Sequence, residues 1–132
     1  MVNQKQVRAI IIKAQGRWSP RLPFNEKTIK MLQNNSGVYE LFDKNGKKIY
    51  VGVSDKREVS GIKHRIESYH EKDDFMRHEG HPTKKELRSK IDQFRIKYCP
   101  IEEARAYEEK TKQTLPFNMD SHIHEMEKKK NG

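Results

Sequence analysis

Residues Ser36–Ser54, SGVYELFDKNGKKIYVGVS, constrain this chain more than any other stretch. Two runs of alternating apolar residues flank Asn45-Gly46. Asn-Gly in that setting is the strongest short-range hairpin signal, because both central positions of a type I′ turn need positive φ. With a two-residue loop, Lys44 pairs with Lys47, Phe42 opposes Ile49, Leu41 opposes Tyr50 and Tyr39 opposes Gly52. Side chains alternate along a strand and opposed residues share a face. Val38, Phe42, Ile49, Val51 and Val53 then form a core-facing surface interrupted by Glu40. Tyr39, Leu41, Tyr50 and Gly52 lie on the other face. The two tyrosines become diagonal neighbours, and Gly52 leaves bare backbone where a ligand could approach.

The rest of the chain leaves room for one domain and one core. The length is 132 residues, of which 33% are hydrophobic and 36% charged, so the core is small. Lys and Arg total 28 against 19 Asp and Glu, a formal charge of +9, which favours polyanionic partners through counterion release and steering. No apolar run approaches the roughly 20 residues needed to cross a bilayer, and no long apolar signal segment opens the sequence. Cys99 is the single cysteine, which excludes an intrachain disulfide and suits a reducing, cytoplasmic setting such as the nucleoid.

Around the hairpin the periodicities predict helices and one more strand. Val7, Ile10, Ile11 and Ala14 mark an amphipathic helix over residues 3–15 with Gly16 as its stop. A proline-containing loop follows from Trp18 to Phe24, and Asn25 caps a short helix to Leu32. After the hairpin, a helix over 61–70 carries the stripe Ile62, Ile66 and Tyr69, and Arg65 lies on that same stripe. Thr83 and Glu86 have capping-box spacing for a helix over 84–91. Phe94, Ile96 and Tyr98 alternate with polar residues in a third strand. A last helix, over 102–114, turns Ala104, Tyr107, Glu108 and Thr111 inward, so Glu108 repeats the anomaly of Arg65. Residues 1–35 thus read as a helical extension packed on a domain at 36–118, followed by a polar tail at 119–132.

GVY at 37–39 and YVG at 50–52 resemble the two halves of the GIY-YIG motif. Arg65, Glu108 and Pro116-Phe117-Asn118 match further landmarks of that endonuclease family in the same order. HRIESY at 64–69 is similar to the corresponding helix of bacterial excision-repair nucleases. The resemblance spans residues 36–118. It implies an α+β fold with a small three-stranded antiparallel sheet flanked by helices, in β-β-α-β-α order, here with extra N-terminal helices. It also implies a metal-dependent endonuclease that hydrolyses DNA phosphodiesters. Glu108 would ligate a divalent cation, Mg²⁺ or Mn²⁺, ions that prefer carboxylate and water oxygens. Arg65 would stabilise negative charge on the scissile phosphate, and Tyr39 or Tyr50 would deprotonate the attacking water. Asn118 would organise the surroundings of the site. The connection from Ser54 to Arg65 is longer than usual for the family. Glu108 also stands one residue nearer the Pro-x-Asn segment, which leaves Glu109 as the fallback.

Lys56, Arg57, Lys63 and His64 are candidate contacts to the nucleic-acid backbone. His78, His81, His122 and His124 lack the four-ligand spacing of a zinc site and read as solvated. A rival reading is a nucleic-acid-binding module that keeps the fold without the reaction. One site per chain implies that two-strand cutting needs a dimer on the substrate or two visits.

Overall fold

In the computed structural model, residues 3–57, 61–70, 82–115 and 117–118 are described. The four histidines His78, His81, His122 and His124, the Thr83 side chain, Pro116 and the tail from Met119 lie outside them. The elements in chain order are α1 (Gln4–Ile12), β1 (Leu22–Pro23), α2 (Glu26–Lys30), β2 (Gly37–Phe42), β3 (Lys48–Ser54), α3 (Ile62–His70), α4 (Pro82–Lys90), β4 (Gln93–Tyr98) and α5 (Ile101–Thr111). Both N-terminal helices begin at asparagine caps. Asn3 and Gln6 close a reciprocal capping box, and Asn25 Oδ1 accepts from the Thr28 amide at 2.9 Å. The chain is α+β, as expected. No described helix is long and apolar enough to cross a membrane.

The sheet has four antiparallel strands in the order β1-β4-β2-β3, not three. The additional strand is the pair Leu22–Pro23, inside the segment expected to be a loop. Pro23 lacks an amide hydrogen and is tolerated because β1 is an edge strand. This segment follows β4 closely: Gly16 donates to the Tyr98 carbonyl and Ser19 to the Ile96 carbonyl, each at 2.8 Å.

The hairpin departs from the expected turn but recovers the expected register. Gly46 has φ +81°, whereas no non-glycine among the described residues, Asn45 included, has positive φ, so a type I′ turn is excluded. The loop is three residues long: the Gly46 amide donates to the Asp43 carbonyl and the Asp43 amide to the Lys47 carbonyl, both at 2.9 Å. Asp43 selects this turn, because its Oδ1 accepts from the Asn45 and Lys47 amides at 2.9 and 3.0 Å. Phe42 consequently opposes Lys48 rather than Ile49, and Lys44 does not pair with Lys47. A register shift between Leu41 and Phe42 then leaves Ile49 as an extra residue and restores Leu41 opposite Tyr50 and Tyr39 opposite Gly52. Ile49 joins the apolar cluster on the tyrosine side instead of the Val38 face.

Both faces of the sheet are covered, and every residue of β2 is buried. One face packs Tyr39, Leu41, Phe94, Ile96 and Tyr98 against α3 and the N-terminal helices through Ile62, Ile66, Val7, Ile11 and Ile29. The opposite face packs Val38 and Val51 against Ile101 and Ala104 of α5 and against Leu115. Residues 1–35 therefore contribute side chains to the same core as the hairpin.

Glu40, read from the sequence as a mere interruption of an apolar face, is fully buried on the α5 side. Lys48 approaches its carboxylate at 2.7 Å, the Tyr107 hydroxyl donates at 2.6 Å, and Arg95 Nε donates to the other oxygen. The Arg95 guanidinium also lies 4.3 Å from the Trp18 ring centre, and Trp18 packs on Tyr107. A buried carboxylate is retained only when its hydrogen bonds and charge are matched. Glu40→Ala is expected to destabilise the fold by about 3–5 kcal/mol, since it strands Arg95 without its partner. Urea unfolding measures this, and an unchanged midpoint would show the cluster to be dispensable.

Candidate active site

Gly52 and Tyr39 are opposed across β2 and β3, as the hairpin required. The backbone of Gly52 is not open to a ligand, however, because the Tyr39 phenol occupies the space. A Cβ built on Gly52 would stand 2.3 Å from the Tyr39 hydroxyl. The glycine is there to let a neighbouring aromatic ring lie flat over the strand. Tyr39 is consequently 2% exposed, whereas Tyr50 remains half-buried at the rim.

The sequence reading assigned Tyr69 to the core stripe of α3, but the tertiary structure brings its hydroxyl into the tyrosine pair. Tyr39 and Tyr69 hydroxyls are 2.9 Å apart, and Tyr69 also hydrogen-bonds with Tyr50. Ring centres of the three lie 6.0 to 6.4 Å apart with tilted or edge-on faces, a favourable aromatic arrangement. The helical spacing that marked Tyr69 as inward gave no sign that its polar end would meet the other two.

Burial first, then the neighbouring Tyr50, raises the pKa of Tyr39 far above the usual phenol value. Tyr50 is raised by Tyr69 first and then by burial, and Tyr69 mainly by burial. Two opposed charges act on the same phenols. Arg65 lowers the pKa of Tyr39 and of Tyr50, and Glu108 raises both. Tyr39, Tyr50 and the helix carrying Arg65 lie on one face of the sheet, whereas α5, which carries Glu108, packs on the other. Arg65 is half-buried, and its Nε is buried with no hydrogen-bond partner among the described residues. A guanidinium N–H in that state is a donor available to an anion.

Asn118 plays a different part. It is buried, its Oδ1 accepts from the Val51 amide and its Nδ2 donates to the Val51 carbonyl, both at 2.8 Å. It thus satisfies both backbone groups of Val51 on the outer edge of β3, one residue beyond Tyr50, and pins the chain after α5 to that strand. Glu108 is half-buried on the inward stripe of α5, while Glu109 is exposed and pairs with Lys112 at 3.1 Å. The fallback residue is therefore on the solvent side.

Among the candidate phosphate contacts, Lys56 and His64 are exposed and Lys63 half-buried. Arg57 is engaged with Asp55 at 3.2 Å and reaches Glu102 at 3.9 Å. No group of three or more His, Cys, Asp or Glu residues suited to a metal occurs among the described residues. A single carboxylate matches the way Mg²⁺ is commonly held, with waters and substrate phosphate completing the shell.

Comparison with protein-family models, with curated proteins and with solved structures found no match.

Two outcomes are expected. Because the folded-state pKa of Tyr39, Tyr50 and Tyr69 is raised, their contribution to stability is complete below the unfolded phenol value of about 10 and falls as pH rises above it. Urea midpoints should thus be flat from neutral to mildly alkaline pH and then drop, and a midpoint rising there would contradict the buried cluster. Tyr69→Phe leaves the buried Tyr39 hydroxyl short of a partner and is expected to cost about 1–3 kcal/mol, read as a lower urea midpoint.

Proposed function

We propose that this protein is a GIY-YIG-type endonuclease that hydrolyses phosphodiester bonds in DNA. The observation that carries this reading is the cluster of Tyr39, Tyr50 and Tyr69 on the sheet face covered by α3, the helix that also carries Arg65. The orphaned Nε of Arg65 adds to it, since a phosphate oxygen would satisfy that donor.

In this reading each residue has a limited task. Arg65 binds a non-bridging phosphate oxygen and stabilises the charge that builds as water attacks, with no proton of its own to lose. Tyr50, at the rim, orients the attacking water through its hydroxyl. Tyr39 and Tyr69 hold Tyr50 in place by ring packing and hydrogen bonds, and Gly52 keeps Tyr39 seated. Glu108 would hold a divalent cation, which when bound would acidify water and offset phosphate charge. Asn118 fixes the β3 edge that carries Tyr50. The raised phenol pKa values mean that Tyr50 is protonated at neutral pH. Its service as a base therefore requires deprotonation, and the rate should rise with pH.

Supercoiled plasmid incubated with the protein and Mg²⁺ tests this. Nicking should occur, should stop with EDTA, and should fall by about 100-fold or more in Glu108→Ala, the scale of a lost catalytic electrostatic or acid–base group. DNA affinity in Glu108→Ala should persist. The rate of the unaltered protein should climb from neutral to mildly alkaline pH, and Tyr50→Phe should abolish the reaction. Salt-sensitive binding without nicking would instead establish the rival reading, a binding module that keeps the fold. Lys56→Gln should weaken binding more than Arg57→Gln, because Arg57 already has acidic neighbours.

A further inference from the structure

Two thirds of this chain's net positive charge lies in its first 35 residues, outside the segment that carries the candidate site residues. Residues 1–35 contain seven Lys or Arg and one Glu, a net +6 out of the chain's +9. All seven basic side chains are exposed. Lys5, Arg8 and Lys13 have no ion-pair partner among the described residues, nor has Lys27 in α2. Core packing alone does not call for this. The inward side of α1 is satisfied by Val7 and Ile11, with buried Ala14 just beyond its end, and the basic side chains are exposed.

The fold places these charges beside α3. Helix α2 contacts both α1 and α3, and all three helices pack side chains into the apolar cluster on the tyrosine face of the sheet. Helix α3 supplies Arg65 from beneath and shows Lys63 and His64 at its outer surface. Along α1, Lys5, Arg8 and Lys13 span roughly 12 Å at 1.5 Å per residue.

We propose that the outward face of α1 and α2 is the docking surface for the backbone of duplex DNA, which it presents to the site beside α3. The choice of duplex follows from what the surface lacks. Single-stranded recognition relies on exposed aromatic rings for stacking, and the only large apolar side chain exposed among the described residues is Ile12, at 52%. A membrane-lying helix needs a free apolar face, and the apolar face of α1 is spent on the core. Phosphate contacts from flexible basic side chains remain, and these give affinity without sequence preference.

The inference rests on the nuclease reading only for its choice of DNA, and its test is binding in EDTA, which stands whether or not cleavage occurs. Fluorescence anisotropy with a duplex of arbitrary sequence is followed from about 50 to about 200 mM salt. The variant Lys5→Gln/Arg8→Gln/Lys13→Gln is compared with a control, Lys44→Gln/Lys47→Gln/Lys110→Gln, whose side chains are equally exposed but lie on the hairpin tip and α5. Circular dichroism melting confirms that both fold. The α1 variant should lose affinity on the order of tenfold or more, and its salt slope should fall by about 0.9 per lost contact, roughly three in all. The control should change neither quantity by as much. Equal losses in the two variants would show that charge is read globally and overturn the proposal. So would an unchanged slope in the α1 variant, or tighter binding of single-stranded DNA or anionic phosphatidylserine vesicles than of duplex.

Discussion

Strand β2 is buried along its whole length on both faces, and this constraint shapes everything around it. A buried polar side chain must find its partners in the layer that covers it. Tyr39 points to one face and finds Tyr69 on α3; Glu40 points to the other and finds Arg95, Lys48 and Tyr107. Two adjacent residues thus tie α3, β3, β4 and α5 to one strand. The polar bonds fix which helices sit where, while the apolar residues around them provide the burial.

This arrangement also fixes where the charged residues of α3 and α5 stand relative to the sheet. Tyr107 is anchored to Glu40 behind the sheet, and Glu108 is the next residue of α5. Tyr69 is anchored to Tyr39 in front of the sheet, and Arg65 stands one helical turn before it. Asn118 then closes the unpaired edge of β3 by mimicking a strand neighbour. An edge strand left open would be free to slip or to recruit another chain, and Tyr50 would lose its fixed position with it. The site proposed for phosphodiester chemistry is therefore held by groups that need not touch a substrate.

The N-terminal extension divides its surface between two tasks. Its apolar stripe completes the core over the tyrosine face, and its segment beyond α1 follows β4 as an added strand. Apart from Glu26, every charged residue left outward is basic, and α2 contacts the helix that carries Arg65. Fold stabilisation and charge presentation come from opposite sides of the same short helices.

Much of this was readable from the residues alone. Alternation in 37–42 and 48–54 placed Tyr39 opposite Gly52 and both tyrosines on one face, and helical spacing turned Arg65 and Glu108 inward. These are local regularities of period 2 and 3.6, which a sequence carries directly. The turn escaped that reading because Asp43, not Asn45-Gly46, decided it through side-chain hydrogen bonds, and a compensating extra residue at Ile49 then hid the error from the tyrosines. The use of Gly52 as a seat for Tyr39, the partners of Glu40 and the entry of Tyr69 into the tyrosine pair were decided only by the tertiary structure. Each depends on which side chain from a remote element arrives at a given point, and periodicity says which way a residue faces but not what it will meet.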